Sequence, residues 1–237
     1  VYFAFLETIP GYKVQAGEKE TINFKAAASQ YENGNYGKAI ISLNNDKMDT
    51  RLEAQEGALS SAYLIGNAEA VLAYADKVLK NSDVTTEQRA LANFYVGKVA
   101  FDREEYLDAL RAFNEVTKIS NNEEAAEARY LIAYVYYVQR DLEVAEQITL
   151  NAQAESSEYP YWAGKSIILL ADILAEKGDV LNARAVLEGW IESYTEDEDL
   201  LNIAKKKLEQ LKAREAASNR LITTPLDTET LDLQEEQ

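Results

Sequence analysis

Four tyrosines fall within eight residues, at 130, 134, 136 and 137, in the segment EARYLIAYVYYVQRDLEVAEQ that spans 127–147. On a helix Tyr130, Tyr134 and Tyr137 share one face, whereas Tyr136 points elsewhere. A phenol ring offers apolar area with a hydrogen-bonding tip, which is binding chemistry more than catalysis. The catalytic inventory is short. The chain contains no His and no Cys, so imidazole and thiol catalysis, the usual zinc ligand sets and disulfides are excluded. Paired carboxylates remain as an acid–base device for a hydrolase, but among 41 Asp and Glu their presence alone signals nothing. GKS at 164–166 ends like a phosphate-binding loop, yet Tyr159 stands where that loop requires Gly, and no strand precedes it. DREE at 102–105 groups carboxylates without the spaced ligands and Gly of a calcium loop. These residues predict a non-enzyme that carries no cofactor and no metal.

The elements that must position the tyrosines are helices. Three Pro and ten Gly among 237 residues, with abundant Ala, Leu, Glu and Lys, favour helices joined by short turns. A hydrophobic content of 47% supplies a core. The net charge of −17, relieved by no basic cluster larger than Lys205–Lys207, argues against nucleic acid and against anionic headgroups. No stretch approaches the length of a membrane span, so a soluble chain without direct membrane insertion is expected. The absence of Cys suits an oxidising envelope compartment and a cytoplasm alike.

The helices repeat. ANFYVGKVAFDREEYLDALRAFNEV places Gly97, Tyr106, Ala109 and Phe113 at intervals of nine, three and four. Aligned on Ala109, further copies read Tyr36/Ala39/Leu43, Ala68/Val71/Ala75, Leu142/Ala145/Thr149 and Val180/Ala183/Leu187. The anchors at 39, 71, 109, 145 and 183 lie 32, 38, 36 and 38 residues apart. Each copy carries a turn at the same phase: NGNY (33–36), IGNA (65–68), REEY (103–106), QRDL (139–142) and KGDV (177–180). This pattern resembles the tetratricopeptide repeat family, in which a small residue on one helix meets Ala-x3-Phe on the next. The unit around Ala109 is specific, although no unit has the family's first-helix Trp or terminal Pro, and Thr149 replaces a large apolar residue.

The resemblance implies an all-α, right-handed α-solenoid of about five helical hairpins, in which stacking buries faces that no hairpin buries alone. Ala27, Gly97, Ala133 and Ala171 permit close helix approach. The array is read as 20–198. DLLNIAKKKLEQLKAREA then supplies a capping helix at 199–217, with Leu201, Ala204, Leu208 and Leu211 as its stripe and acids at its start. Residues 218–237 read as an acidic tail. At the other end, VYFAFLETIPG lacks an initiating Met, and 1–19 reads as the remnant of a preceding repeat plus a linker, as in a piece cut from a longer array.

In the resembled family the first helices line a concave groove that takes a partner peptide or helix. Carried over, the residue eight before each anchor is Tyr31, Tyr63, Phe101, Tyr137 and Ala175; fifteen before, Phe24, Glu56, Phe94, Tyr130 and Ile168; eleven before, Lys98, Tyr134 and Asp172 among others. Glu53, Glu127 and Lys165 would decorate the same surface. The aromatic set has two readings, as groove contacts or as packing against the next repeat. The functional expectation is a protein-interaction scaffold with an unidentified protein or peptide partner. Its alternative is a structural or self-associating module of a longer array. The divergent repeats resemble those of bacterial envelope proteins, which implies a periplasmic or envelope setting, with the cytoplasm as the alternative.

Overall fold

The computed structural model describes residues 18–43 and 51–223. All of the expected remnant repeat except Glu18 and Lys19 lies outside the described residues, as do residues 224–237 of the tail. Among the described residues there are eleven helices and no strand: α1 (Glu18–Glu32), α2 (Tyr36–Leu43), α3 (Leu52–Leu64), α4 (Ala68–Lys80), α5 (Thr86–Asp102), α6 (Tyr106–Ile119), α7 (Glu123–Val138), α8 (Leu142–Glu155), α9 (Pro160–Glu176), α10 (Val180–Ser193) and α11 (Glu198–Thr223). The class is all-α, a solenoid of helical hairpins.

The chain divides into two compact units, one through Val135 and one from Tyr136. In the first, each helix from α1 to α5 packs on its successor, and the first helices of successive hairpins touch, α1 on α3 and α3 on α5. The second unit has the same logic: α8, α9, α10 and α11 pack in sequence, and α11 also touches α9.

One turn recurs in every hairpin. Gly34, Gly66, Glu104, Arg140 and Gly178 all take the left-handed conformation, with φ of 73°, 69°, 59°, 66° and 89°. Each donates its N–H to the carbonyl three residues back, and the next residue donates to the carbonyl five back; at the second turn these are Gly66 to Tyr63 (2.9 Å) and Asn67 to Ala62 (3.0 Å). This is a Schellman closure of the first helix. The residue that completes it also opens the second helix. Asn67, Asp141 and Asp179 accept from Ala70, Val144 and Asn182 N–H at 3.1, 3.4 and 3.2 Å, the N-cap geometry that satisfies an orphan donor. Glu105 makes no such side-chain cap.

Buried small residues set how closely the helices approach. Ala39, Val71, Ala109, Ala145 and Ala183 sit on the second helices at 0–1% exposure. Within the units, the buried residue twelve before an anchor and the one four after it trade volume. Ala27 goes with Leu43, Gly97 with Phe113 and Ala171 with Leu187, while the second hairpin reverses the order with Leu59 and Ala75. Such compensation keeps the interior at crystal-like density.

Helix α11 covers the last hairpin. Asp197 Oδ1 accepts from Leu200 N–H at 2.6 Å to start it. Leu200, Ala204, Leu208 and Leu211 are buried, and Leu201 packs half-buried at the edge of the same cluster. The helix runs to Thr223, six residues into the stretch that composition assigns to the tail.

Candidate functional site

Along the first-helix face of the first unit, Phe24, Ala28 and Tyr31 form one stripe of α1 by their spacing. Phe24 and Tyr31 are 36% and 37% exposed. They flank a cleft of about 320 Å³ whose other wall, on α3, carries Glu53, Glu56, Gly57 and Ser60. Glu32 of α1 and Ala39 and Leu43 of α2 form part of its lining. Tyr31 also meets Tyr36 edge-on at 5.1 Å between ring centroids. Glu56 accepts a hydrogen bond from the Gln88 amide at 2.7 Å.

Further along this face the rings lean onto the next repeat. Tyr63 stacks on Tyr95 of α5, with centroids 4.2 Å apart and planes 19° from parallel. Phe101 lies 6.0 Å from Tyr134, which is itself 6.1 Å from Tyr130, so three of the selected rings form a string. These rings remain partly exposed. Phe94 is different: it is 4% exposed and packs against Phe113 and Tyr95 inside the unit. Lys98 pairs with Glu127 at 2.6 Å, and its ammonium lies 5.9 Å from the Phe94 ring centroid. Burial works against the Lys98 charge, but the hydrogen bond and charge of Glu127 outweigh it and raise the lysine's pKa.

In the second unit the selected residues make ion pairs and hydrogen bonds. The Tyr137 hydroxyl donates to Glu176 at 2.5 Å, and Arg140 pairs with the same carboxylate. Burial, then this hydrogen bond, pushes the Tyr137 phenol well above its usual range. Asp172 pairs with Lys207 of the capping helix. Ile168 and Ala175 are buried.

Tyr95, fourteen before its anchor, falls on none of the registers carried over from the family. It neighbours Phe94 in sequence, and periodicity alone assigns it to the packing side. Burial raises its hydroxyl to about 12, with a hydrogen bond to Ser60 acting in the opposite sense. The only available signal was the aromatic pair Phe94-Tyr95 itself. Ser60 lies on the same register as Lys98 and Tyr134 but carries neither charge nor ring, and Glu32 lies outside the three registers carried over. Among the described residues no group of His, Cys, Asp and Glu has the arrangement of a metal site, and no helix is long and apolar enough to cross a membrane. What this face offers is aromatic area bordered by carboxylates.

No protein-family model matches the sequence, and no curated protein does. Solved structures do. MamA (41-end) from Desulfovibrio magneticus RS-1 aligns at 18% identity over 74% of this chain and 95% of its own, with a TM-score of 0.61. A tetratricopeptide repeat protein from Parabacteroides merdae ATCC 43184 aligns at 15% over 89% of this chain and 77% of its own, with a TM-score of 0.60. Pseudomonas aeruginosa PilF aligns at 13% over 87% and 92%, with a TM-score of 0.58. At these identities the likeness is one of fold, and it agrees with the hairpin register, the shared turn and the buried anchors. The chain has the tetratricopeptide-repeat fold.

Proposed function

We propose that this chain is a non-enzymatic protein-interaction scaffold that holds a peptide or helix of a partner on the first-helix face of its first unit. The observation that carries the reading is the cleft between α1 and α3, where Phe24 and Tyr31 stand exposed although the fold buries apolar residues of similar size elsewhere. Exposed aromatics beside a cleft suit a partner's side chains better than they suit water. Partner affinity then comes from ring contacts, with the neighbouring carboxylates fixing register. Bacterial envelope assembly is the proposed setting. It rests on the resemblance of the divergent repeats to those of bacterial envelope proteins.

Selection from a random peptide library on the intact chain tests the reading. Recovered peptides should bind in the micromolar range and lose about tenfold or more on Phe24→Ala/Tyr31→Ala, with helicity unchanged. If no peptide is recovered and the chain self-associates in sedimentation, the structural-module reading takes its place.

A further inference from the structure

The proposed face has a charge as well as a shape, and we infer that its occupant is a basic segment, one that lays Lys or Arg side chains into the cleft between α1 and α3. This rests on the scaffold reading and specifies the partner's chemistry. Glu32, Glu53 and Glu56 line the cleft together with Phe24 and Tyr31, and among the described residues no Lys or Arg lines it. The arrangement follows from local sequence. Phe24 and Tyr31 lie seven apart on α1, with the small Ala28 between them in the same stripe. Across the cleft, Glu53 and Glu56 lie three apart on α3, next to Gly57, where an added Cβ would come within 3.2 Å of Leu43. The α3 wall therefore stays low, and the carboxylates border the rings.

A lysine or arginine stem is apolar and its head is charged, so it can run across two rings and end at a carboxylate. The ring faces attract the cation in addition. A neutral apolar segment would cover the rings but dehydrate carboxylates with nothing in return, and an acidic one would be repelled by them. The net charge of −17 adds long-range attraction in the same sense. The Gln88 amide holds Glu56 in place, so little side-chain freedom remains to be lost there on binding.

Three fluorescein-labelled twelve-residue peptides that alternate Leu with Lys, Ser or Glu serve as probes, read by anisotropy on the full chain. The Lys peptide should bind at least about tenfold more tightly than the Ser peptide, and the Glu peptide should not bind. Its affinity should fall as sodium chloride rises from about 50 to about 300 mM. Glu53→Gln/Glu56→Gln should erase the preference for Lys over Ser, and Phe24→Ala should weaken the Lys peptide about fivefold or more. Equal binding of the Ser peptide would overturn the inference and leave a binding face in place. Lys binding that survives Glu53→Gln/Glu56→Gln would also overturn it, by showing attraction to the overall charge. If none of the three binds, the inference fails outright, and the library selection decides the scaffold reading separately.

Discussion

A Cβ built on Gly97 would lie 2.6 Å from the ring of Phe113, so α5 and α6 meet here at a contact that leaves no room for a side chain at 97. Phe113 is fully buried, so its ring has no solvent side to move toward. Helix propensity alone favours Gly97→Ala by about 1 kcal/mol. Overpacking at a filled contact costs roughly 1–3 kcal/mol. The overlap should win, leaving Gly97→Ala less stable by about 1–2 kcal/mol in urea unfolding. A stabilised variant would mean that the ring has room the structure does not show.

The volume trade makes a second prediction. Leu59 is fully buried where the four other hairpins have Ala or Gly, and Ala75 stands where three of them have Leu or Phe. Leu59→Ala should cost about 2–5 kcal/mol, because Ala75 does not fill the space left. Adding Ala75→Leu should recover about 1 kcal/mol or more, a coupling that a double-mutant cycle measures. Strictly additive losses would show that the two positions do not share one volume.

The REEY turn combines two departures in adjacent residues, the first of them shared with Arg140. Glu104 takes φ of 59° without being Gly, and Glu105 caps nothing with its side chain. Glu104→Gly should stabilise by up to about 1 kcal/mol, since only Gly enters this region freely. Glu105→Asp should add about 0.5–1 kcal/mol by supplying the cap that Asp141 and Asp179 already make. Thermal unfolding of the two single variants and the double variant checks both; a lower melting temperature for Glu104→Gly would refute the backbone argument.

Stability should hold level up to about pH 10 and decline above it. Burial holds the phenols of Tyr95 and Tyr63 above their ordinary 10.0, that of Tyr95 at about 12. Lys98 is also raised from 10.5: burial opposes its charge, but Glu127 outweighs burial. All three groups keep protons in the folded chain that the unfolded chain has released, so each contribution is complete below the unfolded value and is lost as pH climbs through the folded one. Tyr95 accounts for on the order of 1–2 kcal/mol between pH 10 and 12, once discounted for the solvent that reaches its ring. Tyr95→Phe should flatten the decline in urea midpoints over that range. An unchanged slope would remove Tyr95 from the account.

The repeat was legible because turns and small residues obey short-range rules. A left-handed turn residue selects Gly in three of five hairpins, and helices in closest contact admit only small side chains, so both leave a period in the sequence. The direction in which a ring leans is not written this way. Tyr63 and Phe101 reach Tyr95 and Tyr134 on the next first helix, and Tyr137 bonds Glu176, because of how successive helices are offset. That offset comes from packing across more than thirty residues of sequence. For the same reason Phe94 and Tyr130, equivalent by register, differ: one is buried against Phe113 while the other keeps partial exposure.

Because one residue both ends the first helix and starts the second, the turn inside a hairpin has no spare length. It is three residues in every hairpin, at 33–35, 65–67, 103–105, 139–141 and 177–179. The described connections between hairpins run 81–85, 120–122, 156–159 and 194–197, and they differ in length. A single residue inserted between Gly66 and Asn67 would rotate α4 by about 100° about its axis and turn its buried stripe outward. An affinity tag or fluorophore site spliced after Ser82 meets no such constraint. Grafting sites for labels, and for exchanging whole hairpins between repeat proteins, therefore lie at the outer joints of this chain and not at the inner ones.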